Sequence, residues 1–226
     1  MILPRPVRAV VFDMDGLLFD TEKLHARAAL AAAKEVGCEL DMDVFRQLLG
    51  TADARRILLA HYGDSYPFDE LRVAWGRQFR GLVETELELK RGALDLLDLL
   101  DELGLPRAIA TSSSHNAVQH HLAAHDLTQR FHVIVAAGDY TASKPASDPF
   151  LKAAERLAVE PRDCLALEDS HNGIRSASTA GMMAIMVPDL IEPTAEIERI
   201  CCVVPSLHDV RELILSSRRG SAATSS

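Results

Sequence analysis

Short apolar runs rich in β-branched residues recur along the chain, and patterns of helical period separate them. The runs lie at residues 7–12, 107–110, 133–137, 164–167 and 183–187, with a weaker candidate at 201–204. Such runs are typical of strands that are covered on both faces, as in a parallel sheet. Because strands and helices alternate, the sequence predicts an α/β fold with a doubly wound, mostly parallel sheet, that is, a Rossmann-like core.

One long stretch interrupts this alternation. Between the first two strands, roughly 70 residues carry helical patterns and no convincing strand. We therefore expect a discontinuous core formed by residues 1–17 and 90–215, with residues 18–89 forming an inserted α-helical domain. The final residues, 216–226, are small or polar and have nothing to bury, so they are predicted to be disordered.

Composition excludes several classes of function. Of the 226 residues, 33 are Asp or Glu and 24 are Lys or Arg, which gives a formal net charge of −9. This balance argues against a nucleic-acid partner, since affinity for a duplex comes largely from basic groups that displace counterions. No apolar run approaches the roughly 18 residues that a membrane-spanning helix needs. The four cysteines show no C-x-x-C spacing, so we expect a reduced, cytoplasmic setting. We also expect no membrane contact, and a monomer or weak dimer.

Polar residues stand where several of the predicted strands end. They are Asp13 and Asp15 after the first strand, Thr111, Ser112 and Ser113 after the strand at 107–110, Lys144 beyond the strand at 133–137, and Glu168 and Asp169 after the strand at 164–167. In open α/β sheets, ligands bind outside the carboxyl ends of the strands. Four elements that are distant in sequence are thus expected to supply carboxylates, hydroxyls and an ammonium to one edge.

These groups predict a particular chemistry. Carboxylates crowded together repel each other unless a cation binds them, and an oxygen-only cluster suits Mg²⁺. A hydroxyl with neighbouring backbone N–H groups and a lysine can receive a tetrahedral dianion. The combination favours phosphoryl transfer to a carboxylate nucleophile. The residues alone leave open whether Asp13 or Asp15 is that nucleophile.

Four short segments resemble the motifs of the haloacid-dehalogenase-like superfamily. They are Phe-Asp-Met-Asp-Gly-Leu-Leu-Phe-Asp-Thr-Glu at 12–22, Ala-Thr-Ser-Ser at 110–113, Ser-Lys-Pro at 143–145 and Leu-Glu-Asp-Ser-His-Asn-Gly at 167–173. The chain is most similar to the subgroup with an α-helical cap inserted after the first motif, which includes β-phosphoglucomutase-like proteins and sugar-phosphate phosphatases. The likeness runs from about residue 7 to 204 and implies that the helical insertion is a cap.

The resemblance also implies a role for each acidic residue. Asp13 would attack phosphorus and become an aspartyl-phosphate, and Asp15 would protonate the leaving alcohol and then deprotonate water. Asp13, the backbone carbonyl of Asp15 and Asp169 would hold Mg²⁺, with Glu168 as a further ligand or its neighbour.

Four other residues would contact the substrate. Thr111, the N–H of Ser112 and Lys144 would hold the oxygens of the transferring phosphoryl group. His25 falls at the offset where the mutase members carry a cap histidine, so we expect it to contact the substrate.

Hydrolysis is favoured over the mutase alternative. A hexose-phosphate mutase usually carries an arginine just after its cap loop to grip the second phosphate of a bisphosphate, whereas this chain has Thr51 and Asp53 there and arginines only at Arg55 and Arg56. We therefore predict a Mg²⁺-dependent phosphatase for a small phosphorylated metabolite, either a sugar phosphate or a nucleoside monophosphate.

Two further classes fit less well. A signalling receiver domain also combines acidic residues, a phosphorylated Asp, a hydroxyl and a Lys, but it is about half this length and has no use for a helical insertion. A catalytically inactive protein that acts through binding is disfavoured because every chemical position is filled.

Overall fold

The computed structural model describes residues 3–49, 51 and 53–223, with side chains described as far as residue 218. The strands are β1 (Ala9–Phe12), β2 (Arg107–Ser114), β3 (Val133–Ala137), β4 (Cys164–Glu168), β5 (Met183–Met186) and β6 (Cys202–Val203). The helices are α1 (Thr21–Val36), α2 (Met42–Leu48), α3 (Ala54–Tyr62), α4 (Phe68–Glu86), α5 (Ala93–Glu102), α6 (His115–Ala124), α7 (Asp148–Leu157), α8 (His171–Thr179), α9 (Ile197–Ile200) and α10 (Leu207–Ala223). A 3-10 turn covers Pro161–Asp163.

The six strands form one sheet in the order β3-β2-β1-β4-β5-β6, and every pairing between them is parallel. The predicted α/β fold with a mostly parallel sheet is confirmed. In the central strand, Val11 lies opposite Ala108 of β2 and Ala166 of β4. The strand order reverses between β1 and β4, and ligands bind at such a switch point in open α/β sheets.

The central strands place apolar side chains on both faces of the sheet. Helices cover these faces and bury the side chains. On one face, Ala9 and Val11 of β1 pack in a buried cluster with Phe150 of α7 and Ile174 of α8. All four residues of β1 and all five of β4 are buried, as expected of strands inside a parallel sheet. This packing fixes the carboxyl ends of β1 and β4 next to each other.

The chain divides into two compact units, which we call the core unit and the helical unit. The core unit contains the residues up to Phe19 and those from Leu89 onward, and the helical unit is Asp20–Glu88. The sequence placed these boundaries at 17/18 and 89/90. The turn after β1 keeps Leu18 and Phe19 with the core unit, since Gly16 N–H donates to the Phe19 carbonyl and Lys90 N–H donates to the Leu18 carbonyl, at 2.9 and 2.8 Å.

Four helices, α1 to α4, make up the helical unit. Its apolar core is formed by residues from all four, among them Ala32, Val44, Leu58 and Leu71, which are all at least nine-tenths buried. The end of α1 is set by Gly37, which adopts a left-handed conformation with φ of 78° and donates its N–H to the Ala33 carbonyl.

The prediction of a disordered tail over 216–226 is wrong for its described part. Helix α10 continues to Ala223, and residues 224–226 lie outside the described residues. The Ser216 hydroxyl donates to the Leu213 carbonyl at 3.0 Å, and the Leu3 N–H donates to the Ser217 hydroxyl at 3.0 Å. Helical hydrogen bonds and a hydrogen bond to the start of the chain therefore hold the described part of this segment. Across the described residues, no helix is both long and apolar enough to cross a membrane.

Candidate active site

Acidic residues of the two central strands meet at the carboxyl edge of the sheet. Asp13 follows β1 directly, and its N–H donates to the Leu167 carbonyl of β4 at 2.9 Å. Glu168 is the last residue of β4, and Asp169 comes next. The exposed fractions of Asp13, Glu168 and Asp169 are 7%, 1% and 7%. Each offers one carboxylate oxygen within 4.8 Å of the others, so three buried carboxylates face one point.

Lys144 crosses to this cluster from the segment before α7. Its Nζ donates to Asp13 Oδ1 at 2.5 Å, to Glu168 Oε1 at 2.6 Å and to the Ala110 carbonyl at 2.9 Å. The ammonium also lies 5.0 Å from the centre of the Phe150 ring. These three acceptors hold the ammonium between β1, β2 and β4.

Burial sets the protonation behaviour of this cluster. It raises the pKa of the Asp13 carboxyl to about 8, an effect that Lys144 opposes and that the Glu168 and Asp15 carboxylates reinforce. Burial also acts against the charge on Lys144, but the carboxylates of Asp13 and Glu168 outweigh it and hold the Lys144 pKa above its ordinary value. The ammonium therefore stays charged, because it contacts two carboxylates. Full ionisation of Asp13 at neutral pH calls for more positive charge than Lys144 supplies.

Glu168 is held at both of its oxygens. While Oε1 contacts Lys144, Oε2 accepts from the N–H of Asp169, from the N–H of Ser170 and from the Ser170 hydroxyl, at 3.0, 3.0 and 2.9 Å. The carboxylate lies directly against Gly173 of α8, where an added Cβ would come within 1.8 Å of Glu168 Cδ and Oε1. Only glycine leaves room for Glu168 at this point.

The donor set fits a divalent cation. Carboxylate oxygens are the ligands that Mg²⁺ prefers in proteins. With all groups ionised, the three carboxylates and one ammonium sum to a charge of −2, which one such cation balances. Glu168 already makes four hydrogen bonds, which leaves its oxygens less capacity for an ion. The Asp15 carboxylate lies outside the cluster, which leaves its backbone carbonyl for the predicted role.

Hydroxyl groups line the end of β2. Thr111 is 1% exposed, its Oγ1 accepts the Ser113 N–H at 3.1 Å, and its carbonyl accepts the Tyr140 hydroxyl at 3.1 Å. Ser112 is exposed. The Ser113 hydroxyl donates to Asp15 Oδ2 at 2.6 Å. Thr111 and Ser112 follow Ala110, whose carbonyl binds Lys144, so the structure brings the predicted phosphate-binding residues to the same edge as Asp13.

His25 belongs to the helical unit, and its contacts given below are with other residues of that unit. It lies in α1, with its ring stacked on Phe79 of α4 at a centroid distance of 3.6 Å and an interplanar angle of 7°. Trp75 meets the same ring edge-on at 6.0 Å. The histidine ring is therefore fixed in an aromatic group of the helical unit, and its contact with a substrate stays a prediction.

Sequence reasoning missed two residues of this region. The sequence places Ser113 at the expected edge but assigns it no role, because nothing in a run of serines distinguishes the one that contacts Asp15. Gly173 was quoted only as part of a motif. A glycine inside a short helix lowers its stability, so its presence after Ser170 was the available signal for a close approach.

Comparisons with known proteins identify the family of this chain. A family model described as haloacid dehalogenase-like hydrolase matches residues 10–187. Protein CbbY (plasmid) of Cupriavidus necator is 34% identical over 224 residues, with 91% of this chain and 88% of that protein covered. Hexitol phosphatase B of Escherichia coli K12 is 31% identical over 200 residues, with 83% and 86% covered.

Solved structures share the fold. A crystal structure of CbbY from Rhodobacter sphaeroides in complex with phosphate has a TM-score of 0.73 and 29% identity, and the match covers 90% of this chain and 96% of that one. A variant of the same protein in complex with xylulose-(1,5)bisphosphate has a TM-score of 0.72, with 89% and 95% covered.

Proposed function

This chain belongs to the haloacid dehalogenase-like hydrolase family and is an enzyme, and we propose that it is a Mg²⁺-dependent phosphatase that hydrolyses a small phosphorylated metabolite through an aspartyl-phosphate. The observation that carries the proposal is the contact of Asp13 with Lys144 inside a cluster of three buried carboxylates. A buried carboxylate beside a fixed ammonium can approach a phosphate dianion, since the ammonium offsets the repulsion between them.

The first half-reaction transfers the phosphoryl group to the protein. A carboxylate oxygen of Asp13 attacks phosphorus and forms an O–P bond, while the P–O bond to the alcohol breaks and leaves its electron pair on the departing oxygen. That oxygen takes the proton of the Asp15 carboxyl group and leaves as the free alcohol. Thr111, the Ser112 N–H and Lys144 bind the three outer oxygens of the phosphoryl group.

The second half-reaction regenerates the enzyme. The Asp15 carboxylate takes a proton from water, and the water oxygen attacks phosphorus. The O–P bond to Asp13 then breaks, inorganic phosphate leaves, and both side chains return to their starting protonation states.

Mg²⁺ is the proposed cofactor. Asp13, Asp169 and the backbone carbonyl of Asp15 would hold it, and Glu168 would orient Lys144 and the turn that begins α8. When bound, the cation offsets negative charge at the cluster and on the phosphoryl group. This assignment is supported by the raised pKa of Asp13, to about 8, because an ion at this point removes the electrostatic cost of its negative charge.

A sugar or sugar-alcohol phosphate is the proposed substrate class, with a nucleoside monophosphate as the alternative. The first is supported by the name of the Escherichia coli relative, hexitol phosphatase B, and by the sugar bisphosphate in the CbbY complex. His25 is proposed to contact the substrate from the helical unit. A cytoplasmic location and a monomeric or weakly dimeric state stay predictions.

The mutase alternative is weakened by the arginines that follow the cap loop. Arg55 pairs with Asp69 at 2.9 Å and lies over the Phe68 ring, and Arg56 pairs with Asp53 at 3.0 Å. Both arginines are therefore engaged within the helical unit, whereas a mutase needs such a group for the second phosphate of a bisphosphate.

Phosphate release tests the proposal. Purified protein is incubated with p-nitrophenyl phosphate and with a panel of hexose, pentose and hexitol phosphates and nucleoside monophosphates, with and without glucose 1,6-bisphosphate. We expect continuous release of phosphate that EDTA stops and Mg²⁺ restores. Isomerisation of a sugar phosphate only with the bisphosphate present, without net release, would establish the mutase instead.

The nucleophile is tested by Asp13→Asn, which we expect to lower phosphate release on the order of 10⁴-fold, because the amide oxygen is a poor nucleophile. Asp126→Asn is the matched control, since it makes the same chemical change at an exposed position of the core unit and should leave the rate unchanged. Near-normal turnover by Asp13→Asn would refute the assignment.

A further inference from the structure

Three consecutive serines at the end of β2 have three different environments. Ser112 is exposed, and the Ser114 hydroxyl accepts the Ala117 N–H at 3.3 Å and so caps α6. Ser113 lies between them, half-buried, and its hydroxyl donates to Asp15 Oδ2 at 2.6 Å. The pairing of β2 with β3 shifts register between Ala110 and Ser114, which takes Ser113 out of the regular ladder. Its side chain contacts a residue 98 positions earlier in the sequence.

The contact acts on a side chain that the local backbone does not fix. Asp15 lies in the tight turn after β1, where Gly16 adopts a φ of 79°, and it is only half-buried. A short aspartate on a turn has several staggered rotamers of similar energy. A hydrogen bond of 2.6 Å from a hydroxyl to a carboxylate oxygen is short and selects one of them.

Ser113 also contacts the phosphate-binding residue. Its N–H donates to Thr111 Oγ1 at 3.1 Å, so one residue joins the Thr111 hydroxyl through its backbone to Asp15 through its side chain. The geometry therefore sets the orientation of the Asp15 carboxyl relative to the group predicted to bind the phosphoryl oxygens.

We propose that Ser113 is a positioning residue for Asp15: its hydroxyl holds Oδ2, so that Oδ1 is the oxygen that exchanges a proton with the leaving alcohol and with water. This inference rests on the proposed function, because it gives Ser113 a role only if Asp15 transfers protons. Ser113 itself exchanges no proton and forms no bond to the substrate.

A positioning role has a signature that a structural role lacks. Proton donation matters most when the leaving oxygen is strongly basic, and little when it departs readily as an anion. Loss of the Ser113 hydroxyl should therefore lower the kcat/KM for phenyl phosphate, whose leaving group needs a proton. The kcat/KM for p-nitrophenyl phosphate should fall far less, because its leaving group does not need one. The value of kcat/KM covers the steps up to loss of the alcohol, so hydrolysis of the intermediate, which both substrates share, does not enter the comparison.

The experiment measures kcat/KM for both aryl phosphates in Mg²⁺ buffer with the full chain. We expect Ser113→Ala to lower the value about 10-fold or more for phenyl phosphate and less than about threefold for p-nitrophenyl phosphate, as expected for partial loss of general-acid catalysis. Ser113→Thr, which keeps the hydroxyl, should restore the wild-type ratio. Ser114→Ala removes a hydroxyl one residue away that does not contact Asp15, and it should leave the ratio unchanged.

Two results would overturn the role of Ser113: an equal loss for both substrates, which would place its effect on Thr111 and phosphate binding, or no loss for either. Added to Asp15→Asn, Ser113→Ala should cause no further change in the ratio, and a further change would also contradict it. If Ser113→Ala does not fold, Ser113→Cys, with a weaker donor of similar shape, is measured in its place. Failure of the proposed function is distinct, since wild-type protein would then release phosphate from neither substrate.

Discussion

The two units of the molecule place their charges in opposite ways. At the carboxyl edge of the core unit, Lys144 and its partners Asp13 and Glu168 have side chains less than a tenth exposed. In the helical unit, the ion pair Arg27–Glu86 joins α1 to α4 with side chains 55% and 43% exposed. Taking charges out of water costs several kcal/mol each, whereas exposed pairs contribute little. The Lys144 cluster of the core unit therefore carries an electrostatic cost that the exposed Arg27–Glu86 pair of the helical unit does not.

This difference predicts that losing one buried charge has a large effect. Lys144→Ala leaves the carboxylates of Asp13 and Glu168 facing each other without an ammonium and removes the proposed contact to the phosphoryl group. We expect kcat for p-nitrophenyl phosphate to fall by a factor of about 30 to 1,000, equivalent to about 2–4 kcal/mol of lost transition-state stabilisation. Lys152→Ala is the control, because Lys152 lies on nearby α7 and pairs only with Glu155 in the described part of the chain. A loss of less than twofold in Lys144→Ala would contradict its placement in the site.

Two glycines sharpen the comparison because the same substitution should act with opposite sign in the two units. At Gly173 in α8, an added Cβ would overlap the Glu168 carboxylate, so Gly173→Ala must displace it from Lys144 and from Ser170. We expect a loss of stability of about 1–3 kcal/mol and a lower rate of phosphate release.

At Gly81 in α4, by contrast, an added Cβ meets no atom within 4 Å, and alanine suits a helix better than glycine. Gly81→Ala should therefore stabilise the protein by about 0.5–1 kcal/mol, with the activity unchanged. Thermal unfolding followed by circular dichroism measures both variants. Equal melting temperatures for the two would show that Glu168 can move away from Gly173 without cost.

The sequence could predict that the acidic residues lie at one edge of the sheet, because two general rules are enough for that prediction. Apolar runs identify the strands, and parallel strands bring their carboxyl ends together, so Asp13 and Glu168 had to be neighbours once β1 and β4 were adjacent. The helical insertion followed from periodicity, since its first and last helices, α1 and α4, are long and amphipathic.

The rest depended on geometry that no local pattern encodes. The contact of Ser113 with Asp15 joins β2 to the turn after β1, and three serines in a row look alike in a sequence. Helix α10 continues past residue 216, where the Leu3 N–H donates to the Ser217 hydroxyl, a contact between two residues 214 positions apart. Composition describes that segment as small and polar, and composition does not reveal a contact over such a distance in sequence.

The smallest effect is expected from an exposed pair in the helical unit. Arg27 and Glu86 are both exposed, and the hydrogen bonds between the two side chains raise the pKa of Arg27 and lower that of Glu86. Because solvent and salt screen both groups, Arg27→Ala, Glu86→Ala and the double variant should melt at the wild-type temperature within error, with unchanged phosphate release. A clear loss in each single variant that is not additive in the double one would mean that this pair holds α1 against α4. Charge would then stabilise the helical unit as well, and the contrast with Lys144 would be one of degree only.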